Sequence, residues 1–260
     1  MGGTRAVFDA LRNLSRVLPY LYAAVAIVAL WQLALILTGA DPALLPPPLL
    51  TAETFIEMVL SGEIFMHAGM SLGRVTSSWL LSAMVAIPLG LAMGRFRPFE
   101  KVLDPVVELF RPISPLAWIP MAIIWFGIGE TGKVFIIFIA TFFPTLLNTV
   151  AGVKGVDPVL IRAGQILGCK NETTLLRKII LPAAMPSIIV GLRISFGTGW
   201  AAIIAAELVA AQSGLGYLIA DGMEILRSDL VFVGMGVIGI LGVLFDACFR
   251  FLHHRFGWTQ

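Results

Sequence analysis

Long charge-free runs decide what this chain can fold into. The apolar heart of the first occupies 20–38. The next lies between Arg74 and Arg95, the third between Arg111 and Glu130, the fourth between Lys133 and Lys154. Two more, at about 183–211 and 230–251, are broken only by Arg193 and Glu207 and by Asp246 and Arg250. A hydrocarbon core of about 30 Å takes roughly 20 apolar residues as helix. All six runs reach that length, the third with its lead-in from 104 to 111. The runs are continuous and do not alternate, so helices, not barrel strands, must satisfy the backbone in lipid. Composition agrees: 13% of residues are charged and 58% hydrophobic, against about 25% charged in a soluble domain. The expectation is an all-α membrane protein with six transmembrane helices, at about 20–38, 72–94, 105–128, 133–152, 183–211 and 230–251, in one domain covering 20–252.

Lys and Arg set the orientation. Arg5, Arg12 and Arg16 precede the first run. Arg95, Arg97 and Lys101 follow the second. Lys154, Arg162, Lys170, Arg177 and Lys178 lie between the fourth and fifth, and Arg250 and Arg255 close the last. The opposite side offers Lys133 and Arg227, so the tally is 13 against two, or three with Arg74. Both termini, as tails 1–19 and 253–260, are therefore expected in the cytoplasm of a multi-pass membrane protein. The first apolar run has no small-residue cleavage site after it and reads as a retained span. A net charge of +2 says nothing about nucleic acid, and none is expected as a partner. Cys169 and Cys248 lie far apart, without metal-ligand spacing or a second pair.

Two segments outside the runs are patterned. In 44–63, "LLPPPLLTAETFIEMVLSGE", three prolines precede a stretch in which Phe55, Ile56, Val59 and Leu60 can share one helix face. It reads either as a short helix on the outer membrane surface or as a loop over the bundle. In 153–186, Val159, Leu160, Ala163, Ile166 and Leu167 recur at helical spacing, Gly168 stops that helix, and Asn171 or Thr173 can cap a second one. Pro182 and Pro186 are expected to reset the chain before the next span. Two short helices bent at a glycine present more apolar surface than one loop buries. Either a grooved cytoplasmic partner accepts it, or it packs under its own bundle.

The 153–186 segment resembles the "EAA" coupling loop of the permease subunits of bacterial ABC importers, matching at Ala163, Gly168, Ile179, Leu181 and Pro182. Arg162 stands at the usual Glu and Gly164 at the second Ala, and the stretch from Gly168 to Pro182 is a residue longer. "LPPP" at Leu45, "SLGRV" at Ser71, "LDPVVELFRPISPLAWIPMAIIWFGIGE" at Leu103, "GLRISFGTGWAAIIAAEL" at Gly191 and "GLGYLI" at Gly214 are similar to permeases of the taurine, alkanesulfonate and nitrate group, the taurine permeases most of all. The resemblance implies the MetI-like ABC permease fold with a cytoplasmic two-helix coupling loop, in the bacterial inner (plasma) membrane. It implies two ATPase subunits docked on that loop, an extracytoplasmic substrate-binding protein, and a second permease copy, a homodimer. The implied cargo is a small anion such as taurine or another organic sulfonate, with nitrate or bicarbonate as alternatives. ATP hydrolysis would sit on the partner, so this chain is not expected to be an enzyme. The loop positions that would couple to it are Ala163, Gly164, Gly168, Ile179, Leu181 and Pro182.

Ionisable residues inside spans are functional candidates, because a charge in hydrocarbon is costly. Glu108 and Arg111, three apart on one helix, read as a mutually neutralising pair near the cytoplasmic end of the third span. Arg193 has a stem long enough to snorkel, and Asp246 can face Arg250. Glu207 can gate or line a path, pair with Arg74, or sit at the interface. Ser195, Thr198 and Trp200 join it as candidate pathway residues. The glycines at 191, 197, 199, 234, 236, 239 and 242 read first as helix-packing positions. His67, His253 and His254 read as loop and tail residues.

One motif argues for a different chemistry. "GIGETGK", from Gly127, has the Gly-x-x-x-x-Gly-Lys spacing of a phosphate-binding loop. Val134 follows where Ser or Thr should hold Mg²⁺, and the motif joins two spans, not a strand to a helix. A tight turn explains its glycines, and Lys133 can pair with Glu130. No catalytic set, cofactor site or metal site is expected. A stand-alone secondary transporter, the other rival, would need an inverted repeat of broken helices and an ionisable cluster at midplane.

Overall fold

The computed structural model describes residues 22–255, except 24, 40 and 170. The expected tail 1–19, with Arg5, Arg12 and Arg16, lies outside the described residues, as do 256–260 and Lys170. The helices are α1 (Val25–Thr38), α2 (Pro48–Ser61), α3 (Glu63–Arg95), α4 (Arg97–Phe110), α5 (Ile119–Phe126), α6 (Glu130–Lys154), α7 (Pro158–Ile166), α8 (Glu172–Leu175), α9 (Leu181–Ala210), α10 (Leu215–Glu224) and α11 (Ser228–Arg255). Among the described residues four helices are long and apolar enough to cross a membrane: α3, α6, the continuous Glu172–Val209, and Ser228–Phe251. Described α1 is apolar but shorter.

Two departures from expectation come from prolines. Inside the expected span 105–128 the chain bends by 83° between α4 and Pro115–Phe126. Ser114 is driven to extended backbone (φ −57°, ψ 134°) directly before Pro115, because the proline ring excludes the helical conformation there. Its hydroxyl then accepts from Leu116 N, starting a short 3₁₀ turn. Pro182 does the reverse of what was expected. It resets nothing: α8 runs on through a π-helical turn, Leu176–Ile180, into α9. Leu181 N donates to Leu176 O, the i→i−5 bond of that turn. The wider turn accommodates a residue without an N–H, and Pro182 sits in the first turn of α9, where its missing donor does least harm.

α6 is the axle of the bundle, packed along its length against α3 on one side and α9 on the other. Glycine makes both approaches close. A Cβ at Gly90 would stand 2.7 Å from Thr149 Cβ, and one at Gly94 2.6 Å from Val153 Cβ. On the other side a Cβ at Gly191 would stand 2.5 Å from Asn148 Cβ, and one at Gly199 2.6 Å from Thr141 Cγ2. This is the small-residue packing of membrane helices. Thr141, Thr145 and Thr149 are buried along α6, and each hydroxyl donates to the carbonyl four residues back. Their polarity is satisfied within the helix, as lipid demands. Gly197, Gly236 and Gly239, by contrast, meet open space.

α2 covers one end of α11, where Thr54 donates to Asp229 Oδ2 at 2.8 Å. Its buried face carries Thr54 and Met58, while Phe55, Ile56 and Leu60 point outward. Of the expected apolar face only Val59 packs against the core; the other three residues are exposed. In a chain surrounded by lipid an outward apolar face meets an apolar solvent, so amphipathicity does not report the side that packs. The "GIGETGK" stretch is a hairpin: Gly127 takes φ +73°, which glycine tolerates, and Gly129 caps α6. Lys133 is buried and donates to Glu130 at 2.8 Å.

The glycine contacts make a discriminating test. Gly199→Leu and Gly90→Leu force a side chain into Thr141 and Thr149, and overpacking of this kind costs about 1–3 kcal/mol or more. Both should melt several degrees lower in detergent than the parent chain. Gly236→Leu, with nothing within 4 Å of its Cβ position, should melt with the parent.

Candidate functional site

Polar side chains gather at two ends of the bundle. At the first, Arg74 of α3 is only 6% exposed, yet its guanidinium is fully used. Nε and Nη2 donate to Glu130 at 2.7 and 2.8 Å, Nη1 to Glu207 at 2.7 Å, and Nη1 and Nη2 to the Ser213 carbonyl and hydroxyl at 2.6 and 2.9 Å. That accounts for all five N–H groups an arginine carries. Glu207, 1% exposed, also accepts from Ser71 Oγ at 2.8 Å and from Gly216 N at 3.0 Å. Its carboxylate therefore caps the first turn of α10, where negative charge is favoured. Gly214 must be glycine: its φ is +118°, and a Cβ would fall 2.3–2.5 Å from the Glu207 carboxylate.

Pairing with Arg74 was one of three readings of Glu207. Ser71, Ser213, Glu130 as a second carboxylate, and His67 were not foreseen at this site. His67 lies within α3, buried, and its Nδ1 accepts from Gly214 N at 3.1 Å, so it is not a loop residue. The signal was present as polar residues at 67, 71, 74 and 78, a helical spacing along one face of an otherwise apolar run.

The second end holds the 153–186 segment. Asp157 caps α7 by accepting from Val159 N at 2.8 Å. Gly164 is buried, and a Cβ there would stand 1.9 Å from Ile179 Cδ1. Gly168 ends the helix at φ +99°. Ile161, Ile179 and Leu181 pack against Val153, Val156, Leu175 and Ile180 beneath the bundle. Ala163, Gly168 and Pro182 lie on the exposed side. Arg95, at the end of α3, clamps Glu172 with two hydrogen bonds, at 2.9 and 2.7 Å. Lys154 reaches Glu100 at 2.7 Å. The stripe read in the sequence is the uncovered one: Val159 and Leu160 are exposed, Ile166 by 85% and Leu167 by 84%.

The four candidate pathway residues are not brought together. Ser195 is buried, donating to Leu192 O and accepting from Trp79 Nε1 at 2.9 Å. Trp200 is buried, with its Nε1 on Ile238 O at 3.3 Å. Glu207 is locked to Arg74. Thr198 lines a groove of about 400 Å³ bounded by Arg111, Pro115, Phe143, Pro144 and Ala201, while Trp200 borders a separate small cavity of about 70 Å³. Arg111 pairs with Glu108 at 2.9 Å, as expected. Arg193 donates to Asp246 at 2.8 Å, and Arg250 reaches the same carboxylate at 3.2 Å. Among the described residues no group of three or more His, Cys, Asp and Glu is placed to hold a metal.

Residues 86–258 match the family described as "Binding-protein-dependent transport system inner membrane component". The chain is 39% identical over 243 residues to a putative ABC transporter permease protein of Methanocaldococcus jannaschii, covering 90% of this chain and 89% of that one. It is 38% identical over 234 residues to the taurine transport system permease protein TauC of Escherichia coli, covering 88% and 85%. In three dimensions it is similar to a chain of the MetNI methionine ABC transporter in an inward-facing conformation. The TM-score is 0.66 at 17% identity, over 77% of this chain and 97% of that one, a likeness of fold.

The Arg74 network orders its own mutants. Arg74→Ala strands a buried carboxylate, and breaking one side of such a pair costs about 3–5 kcal/mol. Ser213→Ala removes one neutral acceptor of Arg74 Nη2 and leaves both carboxylates in place, a loss of about 1–2 kcal/mol. Thermal melts of the purified variants should rank Arg74→Ala below Ser213→Ala. Equal melting points would contradict the assignment.

Proposed function

The chain belongs to the binding-protein-dependent inner-membrane transport components, the permeases of ABC importers, and on that footing we propose how it works. Two identical copies form the pathway, and two ATPase subunits dock on their 153–186 segments in the cytoplasm. A substrate-binding protein delivers cargo at the Arg74–Glu207 end, outside. The excess of Lys and Arg near 153–186 supports this orientation. In this reading the tails 1–19 and 253–260 lie in the cytoplasm and the 20–38 run is the first of six spans. The cargo is a small organic sulfonate such as taurine, which the likeness to a taurine permease supports.

One observation carries the docking. α7 is held by its own cap, by Gly164 under Ile179 and by the segment's Arg95–Glu172 clamp, yet it leaves Val159, Leu160, Ile166 and Leu167 uncovered. An apolar helix face fixed in place and facing water suits insertion into a groove. Driven by ATP, closure of the partner would push on this helix and switch access from outside to inside.

Ile166→Glu with Leu167→Glu should abolish co-purification of the ATPase and lower ATP-dependent taurine uptake in vesicles to background, with the melting point of the permease unchanged. ATP hydrolysis or uptake by the permease without an ATPase partner would sink this reading.

A further inference from the structure

Among the described residues the ion pairs balance, with one exception. Arg74 and Lys133 are matched by Glu130 and Glu207. Arg95 with Glu172, Arg111 with Glu108, Lys154 with Glu100 and Arg227 with Asp229 are one to one. Between α9 and α11 a single carboxylate, Asp246, serves two arginines. Its Oδ1 accepts from Arg193 Nε at 2.8 Å, and its Oδ2 lies 3.2 Å from Arg250 Nη1. One positive charge is left over, and one carboxylate cannot occupy two sets of five N–H groups. All three side chains line one cavity of about 650 Å³. Its other walls are apolar, with Ile189, Val190 and Ile194 from α9 and Phe249 from α11. The cavity opens on the outside of the bundle, where Val190 and Ile194 are exposed and the arginine side chains are 44% and 56% exposed. Both helices are long and apolar enough to cross a membrane, so an outward charge on them needs a polar partner.

We propose that this cavity binds an acidic phospholipid, with the phosphate on Arg193 and Arg250 and an acyl chain along Val190 and Ile194. The charge selects a monoanion, because two arginines against one acid leave one positive charge to be met. Guanidinium forks match phosphate oxygens two at a time. The apolar walls select against a free anion, which would lose water beside Ile194 and Phe249 and gain no contact there. A lipid carries both parts, and basic pockets between membrane helices are where anionic head groups bind. Asp246 holds the two guanidinium groups side by side and offsets their mutual repulsion. The site depends on neither the cargo nor the ATPase docking proposed above.

The test is a lipid titration of the purified full chain in mild detergent, read by native mass spectrometry. Phosphatidylglycerol is the acidic probe, phosphatidylcholine the neutral one and inorganic phosphate the free anion. The parent chain should prefer phosphatidylglycerol. Arg193→Gln with Arg250→Gln should lower that preference by about thirtyfold, the combined attraction of two arginines at an anionic surface. Asp246→Asn keeps both arginines, removes the competing acid and should raise the preference. Arg111→Gln, at an exposed arginine with its own acid, should leave it unchanged. An unchanged preference in the double variant would overturn the proposal, as would an equal loss in Arg111→Gln or a loss in Asp246→Asn. Displacement of bound phosphatidylglycerol by millimolar inorganic phosphate would also overturn it, making the cavity a site for a free anion. So would loss of self-association in the double variant with its lipid preference intact, which would make this face an interface between two copies.

Discussion

One end of this bundle hangs on the five N–H groups of a single arginine. Arg74 sits on α3 and reaches α6 through Glu130, α9 through Glu207 and the turn before α10 through Ser213. A guanidinium this deeply buried is tolerable only if each donor is met, since removing charges from water is repaid by complete pairing and good geometry. The requirement propagates outward. Glu207 must be buried beside it, Ser71 and Gly216 N must complete the carboxylate, and Gly214 must lack a side chain to let the turn pass. The close glycine contacts of α6 then carry this fixed arrangement through the apolar slab.

The opposite end is held differently. Arg95 and Glu172 are joined by two good hydrogen bonds, but the carboxylate side chain is half exposed. Exposed pairs contribute little to stability. What they supply here is position, for a short helix whose inner face is filled by Ile161 and Ile179 and whose outer face is empty. The molecule is closed by buried pairing at one end and leaves an apolar helix face uncovered at the other.

Helix-forming runs and their charge-poor composition were legible because lipid imposes one rule on every residue of a span. Local pairs were legible too: Glu108 with Arg111 and Glu130 with Lys133 lie one helical turn apart. Contacts across the fold were not. Glu207 had three readings because its partner is 133 residues away, and nothing in a single sequence ranks them. Prolines misled in both directions. Pro115 bends a run that length alone called a span, while those at 182 and 186 sit inside a helix that continues. α2 shows a further limit, since a hydrophobic stripe marks the buried face only when the other face meets water.

The unbroken run from α8 through the π turn into α9 has a mechanical meaning. Thirty-eight residues from Glu172 to Val209 make a rod of about 57 Å at 1.5 Å per residue. Its foot is clamped beside the uncovered α7 face, and its far end carries Glu207. No loop interrupts it to absorb strain. The foot and the Arg74 network are therefore joined by one uninterrupted helix. The π turn at Leu176–Ile180 is where that helix departs from α-helical hydrogen bonding, close to the uncovered α7 face.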